Sequence, residues 1–284
     1  MKRKIILIVV ALIMLISFYL YYEDNYLKVS YYSIKDENLP SRFNGYKIAQ
    51  ISDYHNTKSL LIKNKLVNTL KEEKPDIIVI TGDLVDRNRT NIEVSLNLIK
   101  EIANISPIYY VKGNHESVIK DYDKLKEGLI ALGVTVLEND SVILKNDGDM
   151  VKLIGINDPT SSKDFGLKNN EIITKELEPF VKDDTYKILL SHRSEQLDTY
   201  SQNNINLVFT GHSHGGQIRL PFIGGLYAPH QGFLPKFTSG VHIKGNTHLV
   251  ISRGIGNSTF PFRVNNRPEL VIVNLESGKE KYEK

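Results

Sequence analysis

The stretch PDIIVITGDLVD, residues 75–86, contains four consecutive β-branched apolar residues, followed by a glycine and two aspartates. A short apolar run bounded by turn residues is typical of a strand that is buried on both faces of a sheet. Gly82 permits a sharp turn directly after the run, and Asp83 and Asp86 follow it. The stretch therefore predicts a buried strand with carboxylates at its carboxyl end.

Strand and helix patterns alternate on both sides of this stretch. Before it, YKIAQISD (46–53) has the pattern of a short strand, and residues 59–76 have helical periodicity up to Pro75. After it, residues 91–104 have a helical pattern, and PIYYVKGNHE (107–116) has the pattern of a third strand. This alternation predicts an α/β sheet with helices on its faces.

Seven further apolar runs predict strands in the rest of the chain. Their density in the second half predicts a second sheet stacked on the first. We find no internal repeat, so a single catalytic domain is the economical interpretation. The predicted strands are 135–137, 142–145, 152–156, 187–191, 206–210, 248–252 and 270–274.

Five of the predicted strands are followed by residues that can bind metals or move protons. These residues are Asp53 and His55, Asp83 and Asp86, Asn114 and His115, His192, and His212 and His214. Ligands bind outside the carboxyl ends of strands in open α/β sheets, so these groups could converge in space. Each group alone has another interpretation. Asp53 could cap a helix, Asp83 could belong to a turn, and Asn114 could adopt a left-handed backbone.

The stretch TGHSHGGQI (210–218) places two histidines between glycines, directly after an apolar run. Neutral imidazoles at a strand end could bind a metal, whereas histidines in a glycine-rich turn could also simply cap backbone groups. The chain contains no cysteine, which excludes disulfides, thiolate metal sites and cysteine nucleophiles. Any metal site must therefore use nitrogen and oxygen ligands.

The bulk composition favours a folded protein that does not bind nucleic acid. The chain has 284 residues, of which 41% are hydrophobic, enough for a sizeable core. The net charge is +3 and the basic residues are scattered, whereas nucleic-acid binding needs a basic stripe or face.

The N-terminal segment predicts a membrane anchor. Three basic residues, Lys2, Arg3 and Lys4, precede an almost unbroken apolar run from residue 5 to residue 22. The run is long enough to span a bilayer core of roughly 30 Å, and the charge bias places the catalytic domain outside the cytoplasm. A cleaved signal peptide is the alternative, but no small-x-small cleavage site follows the run. We expect an anchor at 1–25, a connector or first edge strand at 26–44 and a catalytic domain at 45–284.

Together these motifs resemble the calcineurin-like metallophosphoesterases. The family pattern consists of D-x-H, G-D-x-x-D, G-N-H-[DE], a lone histidine and G-H-x-H, and all five occur here in that order between Asp53 and His214. The stretch 252–275 also resembles the membrane-associated subgroup of phosphodiesterases similar to the bacterial YaeI and YkuE proteins. The resemblance implies a four-layer α/β fold, in which two stacked mixed sheets are flanked by helices.

The resemblance also implies a dinuclear metal site with Mn, Fe or Zn as the candidate ions. Asp83 would bridge the two ions, and metal-activated hydroxide would attack the phosphorus. His115 would face the leaving group as a general acid or as a stabiliser of developing charge. One ion would be held by Asp53, His55, Asp83 and His214, and the second by Asp83, Asn114, His192 and His212.

Several other residues have two interpretations. Glu116 and Asp86 could orient a site residue, or they could be solvated or capping groups. Many family members have proline at the position of Ser194, so we expect a slightly altered loop and an intact metal site. Arg193 could reach a substrate phosphate or form a surface salt bridge with Glu195.

The loop at 221–240 also has more than one interpretation. Aromatic residues of this loop could form an apolar lip that meets a lipid, or they could pack on the core. Asp158 could approach the site from its turn. We assign no metal role to His230 or His242, and we expect His248 to be packed within its strand.

The sequence thus predicts a membrane-anchored phosphoesterase that cleaves a phosphodiester or pyrophosphate-type bond, with an envelope lipid or glycolipid precursor as the most specific substrate class. The alternatives are a phosphomonoesterase, including a protein phosphatase, and a non-catalytic metal-binding scaffold. His115 argues against the scaffold. In this interpretation it binds no metal, and a protein that only binds metal has no use for a residue that acts on the leaving group. A metallo-β-lactamase-type hydrolase is disfavoured because the chain lacks an HxHxDH cluster.

Overall fold

The computed structural model describes residues 1–164, 166–257 and 260–278. Residues 258 and 259 of the 252–275 stretch, and the end of the expected 45–284 domain, lie outside the described residues. The α-helices are α1 (Lys2–Asn25), α2 (Leu60–Glu73), α3 (Ile92–Ile102), α4 (Tyr122–Ala131), α5 (Asn169–Leu177) and α6 (Leu197–Gln202).

The first sheet has six strands and contains the stretch that decides the fold. Its spatial order is β1-β16-β2-β3-β4-β5, and every neighbouring pair is parallel except β16 with β2. The strand predicted within residues 75–86 is β3, near the centre of the sheet. The members are β1 (Lys28–Asp36), β2 (Lys47–Ile51), β3 (Ile77–Thr81), β4 (Ile108–Val111), β5 (Thr135–Val136) and β16 (Glu269–Ser277).

The second sheet also has six strands, in the order β14-β15-β9-β8-β7-β6. Its inner pairs are parallel, and the two edge pairs are antiparallel. The members are β6 (Asp140–Asn146), β7 (Asp149–Gly155), β8 (Lys187–Arg193), β9 (Leu207–Gly211), β14 (Gly240–Lys244) and β15 (Thr247–Ile251). Two small hairpins lie between β9 and β14. They are formed by β10 (Arg219–Leu220) with β11 (Gly224–Gly225), and by β12 (Tyr227–Ala228) with β13 (Gly232–Phe233).

Successive side chains of the central strands point to opposite faces, and this alternation builds four layers. On β3, Ile78 and Ile80 pack against α2, α3 and α4, whereas Ile77 and Val79 pack against the second sheet. The outer face of the second sheet is covered by α5 and α6. Each sheet is covered on both faces, which explains why all five residues of β3 and all five of β9 are buried.

Helix α1 differs from the other helices because its apolar side chains are exposed. The window of 18 residues that makes it a candidate membrane span is not buried by the rest of the chain. Within the described residues it is the one helix long and apolar enough to cross a membrane. At 24 residues, α1 is roughly 36 Å long at 1.5 Å per residue.

The predicted strands and helices agree with the structure to within a few residues. The helix predicted at 59–76 is α2, which ends at Glu73; Lys74 follows with a left-handed φ of 46°, and Pro75 comes next. Residues 26–44, which we expected to form a connector or a first edge strand, contain β1 at the edge of the first sheet. The strand pattern missed β14 and the four two-residue strands β10 to β13, and the helical pattern missed α4, α5 and α6.

Candidate metal centre

The strand-end residues converge at one edge of the two sheets. Asp53 follows β2, Asp83 follows β3, and His212 follows β9, while His192 lies near the end of β8. All four side chains are buried. The parallel strands of both sheets end at this edge, and it is therefore where residues far apart in sequence meet.

The backbone at these strand ends turns through left-handed conformations. Asp53, His55, Asp83, His212 and His214 have φ values from 47° to 69°. This conformation costs roughly 1–2 kcal/mol for a residue with a Cβ, so it persists only where other contacts impose it. Here the backbone N–H of Asp53 donates to Gly82 O, and that of His55 donates to Asp83 O, both at 3.0 Å.

Two glycines allow the loops after β3 and β4 to approach each other closely. A Cβ on Gly82 would lie 2.6 Å from Gly113 N, and a Cβ on Gly113 would lie 2.2 Å from an oxygen of Asp83. Both separations are too short for non-bonded atoms. These glycines are therefore required for Asp83 to lie between the two loops.

The first donor group consists of Asp53, His55 and His214. The Nε2 atoms of the two histidines are 3.1 Å apart, and His214 Nε2 is 3.4 Å from Asp53 Oδ1. The backbone N–H of His212 donates to both carboxylate oxygens of Asp53, and Ser52 Oγ donates to Oδ2. These bonds hold the carboxylate with Oδ1 close to His214.

The second donor group surrounds His192. Its Nε2 is 3.3 Å from Asp83 Oδ2, 3.1 Å from Asn114 Oδ1 and 3.2 Å from His212 Nδ1. Its Nδ1–H donates to the carbonyl oxygen of Thr81 at 2.7 Å. Because that bond places a proton on Nδ1, Nε2 is the nitrogen available to a metal.

Asp83 lies between the two groups. Its Oδ2 is 3.8 Å from His55 Nε2 in the first group and 3.3 Å from His192 Nε2 in the second. Its other oxygen, Oδ1, accepts the backbone N–H of His115 at 2.9 Å. The carboxylate is thus fixed with one oxygen facing both sets of imidazole nitrogens.

Burial determines the charge state of most of these groups. It lowers the pKa of His55 to about 3 and the pKa values of His212 and His214 well below their usual range, which favours the neutral form that binds metals. Burial also acts to raise the pKa of Asp83, but the neighbouring His192 more than offsets it, and that pKa lies well below its usual range.

His192 and Asp53 shift in the opposite direction from these groups. Although burial opposes it, the adjacent Asp83 carboxylate raises the pKa of His192 to about 10. Burial raises the pKa of Asp53 to about 6. A cation that enters the site would therefore have to displace a proton from His192.

The donor chemistry fits divalent metal ions. Within the described residues, three groups of buried histidines and aspartates have donor atoms that lie within 4.8 Å of one another. Nitrogen and carboxylate donors suit Mn, Fe and Zn alike. The groups are Asp53, His55 and His214; Asp83, His192 and His212; and His55, Asp86 and His115.

His115 lies beside the donor groups with its ring orientation fixed. Its Nδ1 accepts the backbone N–H of Arg87 at 3.0 Å, and its Nε2 is 3.8 Å from Asp83 Oδ2. Burial lowers its pKa. The neutral ring therefore carries its proton on Nε2, on the side that faces Asp83.

Glu116 and Asp86 are buried, so the solvated role considered for them from sequence is wrong. Glu116 accepts the backbone N–H groups of Asp83, Val85 and Gly113 at 2.8–3.0 Å. It thereby ties the loop after β3 to the loop after β4. Asp86 accepts two N–H groups of its own turn, and its Oδ2 is 3.9 Å from His55 Nδ1.

Arg193 is buried rather than at the surface, and its main partner is Asp158 rather than Glu195. Two nitrogens of the guanidinium donate to the two oxygens of Asp158 at 2.6 and 2.9 Å, whereas Glu195 is 4.0 Å away. Arg193 Nη1 is also 3.0 Å from His212 Nε2. The Asp158 turn therefore does reach the site, with Arg193 between it and His212.

The 221–240 loop borders the site and exposes most of its aromatic residues. Phe222 and Phe233 are exposed, whereas Phe237 packs against the core between the second sheet and its helices. Ser194, at the position where many relatives have proline, donates to the carbonyl oxygen of Phe237. Of the aromatic residues in this loop, only Phe237 therefore packs on the core.

His230, which received no role from sequence, lies at the mouth of the site. Its ring stacks on that of His212, with 5.4 Å between the centroids. It lines a cavity of about 160 Å³ together with His115 and Asn114. No spacing pattern connects His230 to the motifs, so sequence reasoning had no signal for it. His242 is half-buried and donates to Ser239 O, and His248 is buried at the start of β15.

Asn266 links helix α1 to the GHSH motif, and no local sequence pattern indicates this link. Its side-chain amide donates to the carbonyl oxygens of His214 and Gln217 at 2.8 and 2.9 Å. Its backbone N–H donates to the carboxylate of Glu23, in the last turn of α1, at 2.6 Å. The C-terminal end of the apolar helix is therefore two hydrogen bonds away from a candidate ligand.

Comparison with known proteins agrees with this geometry. Residues 46–216 match the model of the family described as calcineurin-like phosphoesterase. This range begins just before β2 and ends just after the GHSH motif, so it includes every strand end that contributes to the site.

Three relatives extend the similarity to most of the chain. The metallophosphoesterase YkuE of Bacillus subtilis is 29% identical over 90% of this chain and 88% of its own length. The phosphodiesterase YaeI of Escherichia coli is 25% identical over 81% of this chain and 82% of its own length. A transmembrane protein with a metallophosphoesterase domain from Bos taurus is 28% identical over 84% of this chain and 55% of its own length.

Proposed function

Because the chain belongs to the calcineurin-like phosphoesterase family and is therefore a metal-dependent phosphoester hydrolase, we propose that it is a membrane-anchored phosphodiesterase that uses two divalent cations. The observation that carries the proposal is the position of Asp83 Oδ2, 3.8 Å from one set of imidazole nitrogens and 3.3 Å from the other. A carboxylate in this position can serve two cations at once.

We assign four ligands to each cation, with Asp83 shared. When bound, the cations supply positive charge to the phosphate oxygens and activate water for attack. The chain's own part is to hold the donor atoms in place through the bonds to Thr81, Ser52 and the backbone described above. The first set is Asp53, His55, Asp83 and His214, and the second is Asp83, Asn114, His192 and His212.

We assign His115 to the substrate rather than to a metal. Its Nδ1 is occupied by the Arg87 N–H, so the neutral ring can donate a hydrogen bond from Nε2 but has no second proton to release. Of the two roles considered from sequence, this geometry favours the stabiliser of developing charge over the general acid.

The space beside the site favours a diester over a monoester. A cavity of about 580 Å³ extends from His55 to Asp24, near the end of α1. It has room for the second substituent of a phosphodiester, which a monoester lacks. The name of YaeI, a phosphodiesterase, points the same way. Polar residues of the lining include Asn56, Lys58, Arg89, Thr90, Asn91 and Asn257.

We further propose a lipid-linked substrate and a catalytic domain outside the cytoplasm. Helix α1 would be the anchor, with Lys2, Arg3 and Lys4 on the cytoplasmic side. The cavity reaches Asp24 in the last turn of this helix, so a headgroup could enter it while its acyl chains stay in the bilayer. In this proposal residues 1–25 anchor the chain, 26–44 connect, and 45–284 form the catalytic domain.

The first experiment compares a diester with a monoester. The full chain in detergent is stripped of metal, reloaded with Mn²⁺ or Zn²⁺, and assayed on bis-p-nitrophenyl phosphate and p-nitrophenyl phosphate. We expect metal-dependent cleavage that favours the diester and that falls more than about 100-fold in Asp83→Asn, since outer-shell changes alone cost 10–100-fold. The exposed Asp123→Asn, on α4, is the matched control.

Each other outcome has a definite meaning. Faster cleavage of the monoester would replace the proposal with a phosphomonoesterase. Two bound metals without turnover on either ester, or on a phosphodiester lipid in mixed micelles, would favour the non-catalytic scaffold. Equal rates on that lipid and on its deacylated headgroup would remove the lipid-linked part of the proposal.

A further inference from the structure

Most hydrogen bonds between the last turns of α1 and the catalytic domain involve one short segment, Arg263 to Arg267. Tyr19 Oη donates to the Asn265 side chain at 2.9 Å, and the Glu23 carboxylate accepts the backbone N–H of Asn266. Asp24 accepts the backbone N–H of Arg263 at 2.8 Å. The helix is therefore fixed to this docking segment rather than loosely tethered to it.

The docking segment also holds the root of the hairpin formed by β10 and β11. Ile218 forms a parallel bridge with Val264, and the backbone N–H of Arg219 donates to Val264 O at 2.9 Å. The Asn265 side chain, which accepts from Tyr19, donates to Arg219 O at 3.1 Å. One asparagine thus contacts both α1 and the hairpin root.

The tip of this hairpin is apolar and exposed. Between β10 and β11 the chain reads PFI (221–223), and Phe222 is fully exposed. Ile223 and Leu220 are exposed as well. The exposure of apolar side chains to water is unfavourable. Apolar side chains grouped at the tip of a turn are therefore typical of surfaces that contact a partner or a membrane.

The contacts of α1 near the docking segment suit the interfacial layer of a bilayer. Tyr19 and Tyr22 lie at the end of the apolar run, where tyrosine is enriched in membrane proteins. Arg267 donates to Tyr22 Oη at 2.8 Å, and its guanidinium lies over the Tyr22 ring. A guanidinium and two phenol groups at the end of the apolar run are side chains that interact favourably with lipid headgroups.

We propose that the hairpin tip, Leu220 to Ile223, inserts into the surface of the bilayer in which α1 is anchored. The tip starts one residue after Arg219, whose carbonyl oxygen accepts a hydrogen bond from Asn265, and the same Asn265 side chain accepts from Tyr19 of α1. The tip therefore begins close to the end of the apolar helix. The GHSH motif is only four residues before Ile218, so insertion would fix the orientation of the metal centre toward the membrane surface. The inference rests on the proposed anchoring by α1.

The chain contains no tryptophan, so a single introduced tryptophan reports on its own surroundings. We would reconstitute the full chain carrying Phe222→Trp into vesicles of ordinary or brominated phosphatidylcholine and measure fluorescence quenching by the brominated lipid. Phe18→Trp, at an exposed position of α1, is the reference for membrane contact. Met150→Trp is the control for an exposed site, because Met150 lies at the start of β7, away from the strand ends that form the site.

We expect brominated lipid to quench Phe18→Trp and Phe222→Trp but not Met150→Trp. Quenching of Phe18→Trp alone would overturn the insertion of the hairpin and leave the anchor intact. If Phe18→Trp were not quenched either, the proposed anchoring would fail, and the insertion with it.

A second measurement tests the consequence for activity. The double variant Phe222→Ser, Ile223→Ser should cleave a phosphodiester lipid in vesicles several-fold more slowly than the unmodified chain. Its cleavage of soluble bis-p-nitrophenyl phosphate should be unchanged, because neither residue lines the metal centre. Equal activity on the vesicle substrate, or an equal loss on both substrates, would contradict the proposal.

Discussion

His115 is the residue whose role depends most on a single hydrogen bond. The Arg87 N–H occupies Nδ1, and this leaves Nε2–H as a donor without a second proton. The benefit of a donor that keeps its proton depends only weakly on the leaving group, whereas proton transfer from a general acid matters much more for poor leaving groups than for good ones.

We therefore predict that His115→Ala lowers turnover by about 100-fold, a typical loss for one such donor, and by the same factor on aryl and alkyl phosphodiesters. Metal content, measured by atomic emission, should be unchanged. A loss confined to the alkyl ester would show that His115 is the general acid, and a loss of metal would show that it is a ligand.

Glu116 illustrates how a buried carboxylate can hold a site without touching a substrate. It accepts three backbone N–H groups from two loops, and burial raises its pKa to about 7. In Glu116→Gln, one oxygen is replaced by an NH₂ group that cannot accept, which leaves buried N–H groups without a partner.

We predict that Glu116→Gln lowers the free energy of unfolding by about 1–3 kcal/mol, measured by urea denaturation of the metal-free protein. The control is Glu127→Gln, an exposed position on α4, which should change it by less than about 0.5 kcal/mol. Equal stability of both variants would contradict the role given to Glu116.

At the scale of elements, α1 is linked through Asn266 to the candidate metal centre, in addition to being the proposed anchor. The chain of contacts runs from the Glu23 carboxylate to the backbone of Asn266, and from the Asn266 amide to the carbonyl oxygen of His214. Acidic residues after an apolar run are usually interpreted through topology rules, but here Glu23 is buried and makes a structural contact.

We predict that Glu23→Ala weakens metal binding by up to about tenfold, the lower end of the effect of outer-shell partners. Glu23→Gln should retain most of the affinity, because its amide oxygen can still accept the Asn266 N–H. The measurement is Co²⁺ titration of the full chain, followed by visible absorption. Glu72→Ala, an exposed position on α2, is the control, and wild-type affinity in Glu23→Ala would disprove the coupling.

At the scale of the whole molecule, the two sheets must bury ionisable groups at their common edge to form the site. Burial lowers the pKa of His55, His212 and His214, so their folded forms stay neutral at pH values where the unfolded chain takes up protons. These histidines contribute stability that is present above pH 6.5 and lost as the pH falls below it. Asp53, Glu116 and His192 oppose this trend, because their pKa values are raised to about 6, 7 and 10 and their folded forms take up protons more readily than the unfolded chain does. They reduce the loss of stability but do not cancel the effect of the three histidines.

We predict that the metal-free protein becomes less stable between pH 7 and pH 5, as measured by its thermal midpoint. Saturating Mn²⁺ or Zn²⁺ should raise the midpoint at pH 7, because a ligand that binds only the folded state stabilises it. The increase should shrink toward pH 5 as protons compete for the imidazoles. A midpoint that is independent of both metal and pH would contradict the assigned site.

Much of the fold and the inventory of the site could be predicted from the sequence because the signals are local. The apolar run before Asp83 specifies a buried strand, and strand, helix and strand in succession specify a parallel sheet. The family resemblance implied the strand-end residues and the four layers. The family match supports the layered fold, and the metal-binding role of the strand-end residues stays a prediction.

Local patterns did not reveal the partners of these residues. For Arg193 the sequence left open a contact with a substrate phosphate or a surface salt bridge with Glu195, yet it lies buried against Asp158, 35 residues away. For Glu116 the sequence left open an orienting role or a solvated or capping role, and its burial follows only from the close approach of the loops after β3 and β4. His230 gave no signal because it comes from a loop whose path is set by packing.

The sequence by itself thus determined most strands of the two sheets, the helices α1, α2 and α3, and the identity of the chemical groups, since hydrophobic period and turn residues act within a few positions. Only the tertiary structure decided that Asp83 faces both histidine groups, that His115 carries its proton on Nε2, and that Glu23 meets Asn266 across 243 positions of the chain. The physical reason is that hydrogen bonds and burial depend on distance in space, which the stacking of the two sheets sets and neighbouring residues do not.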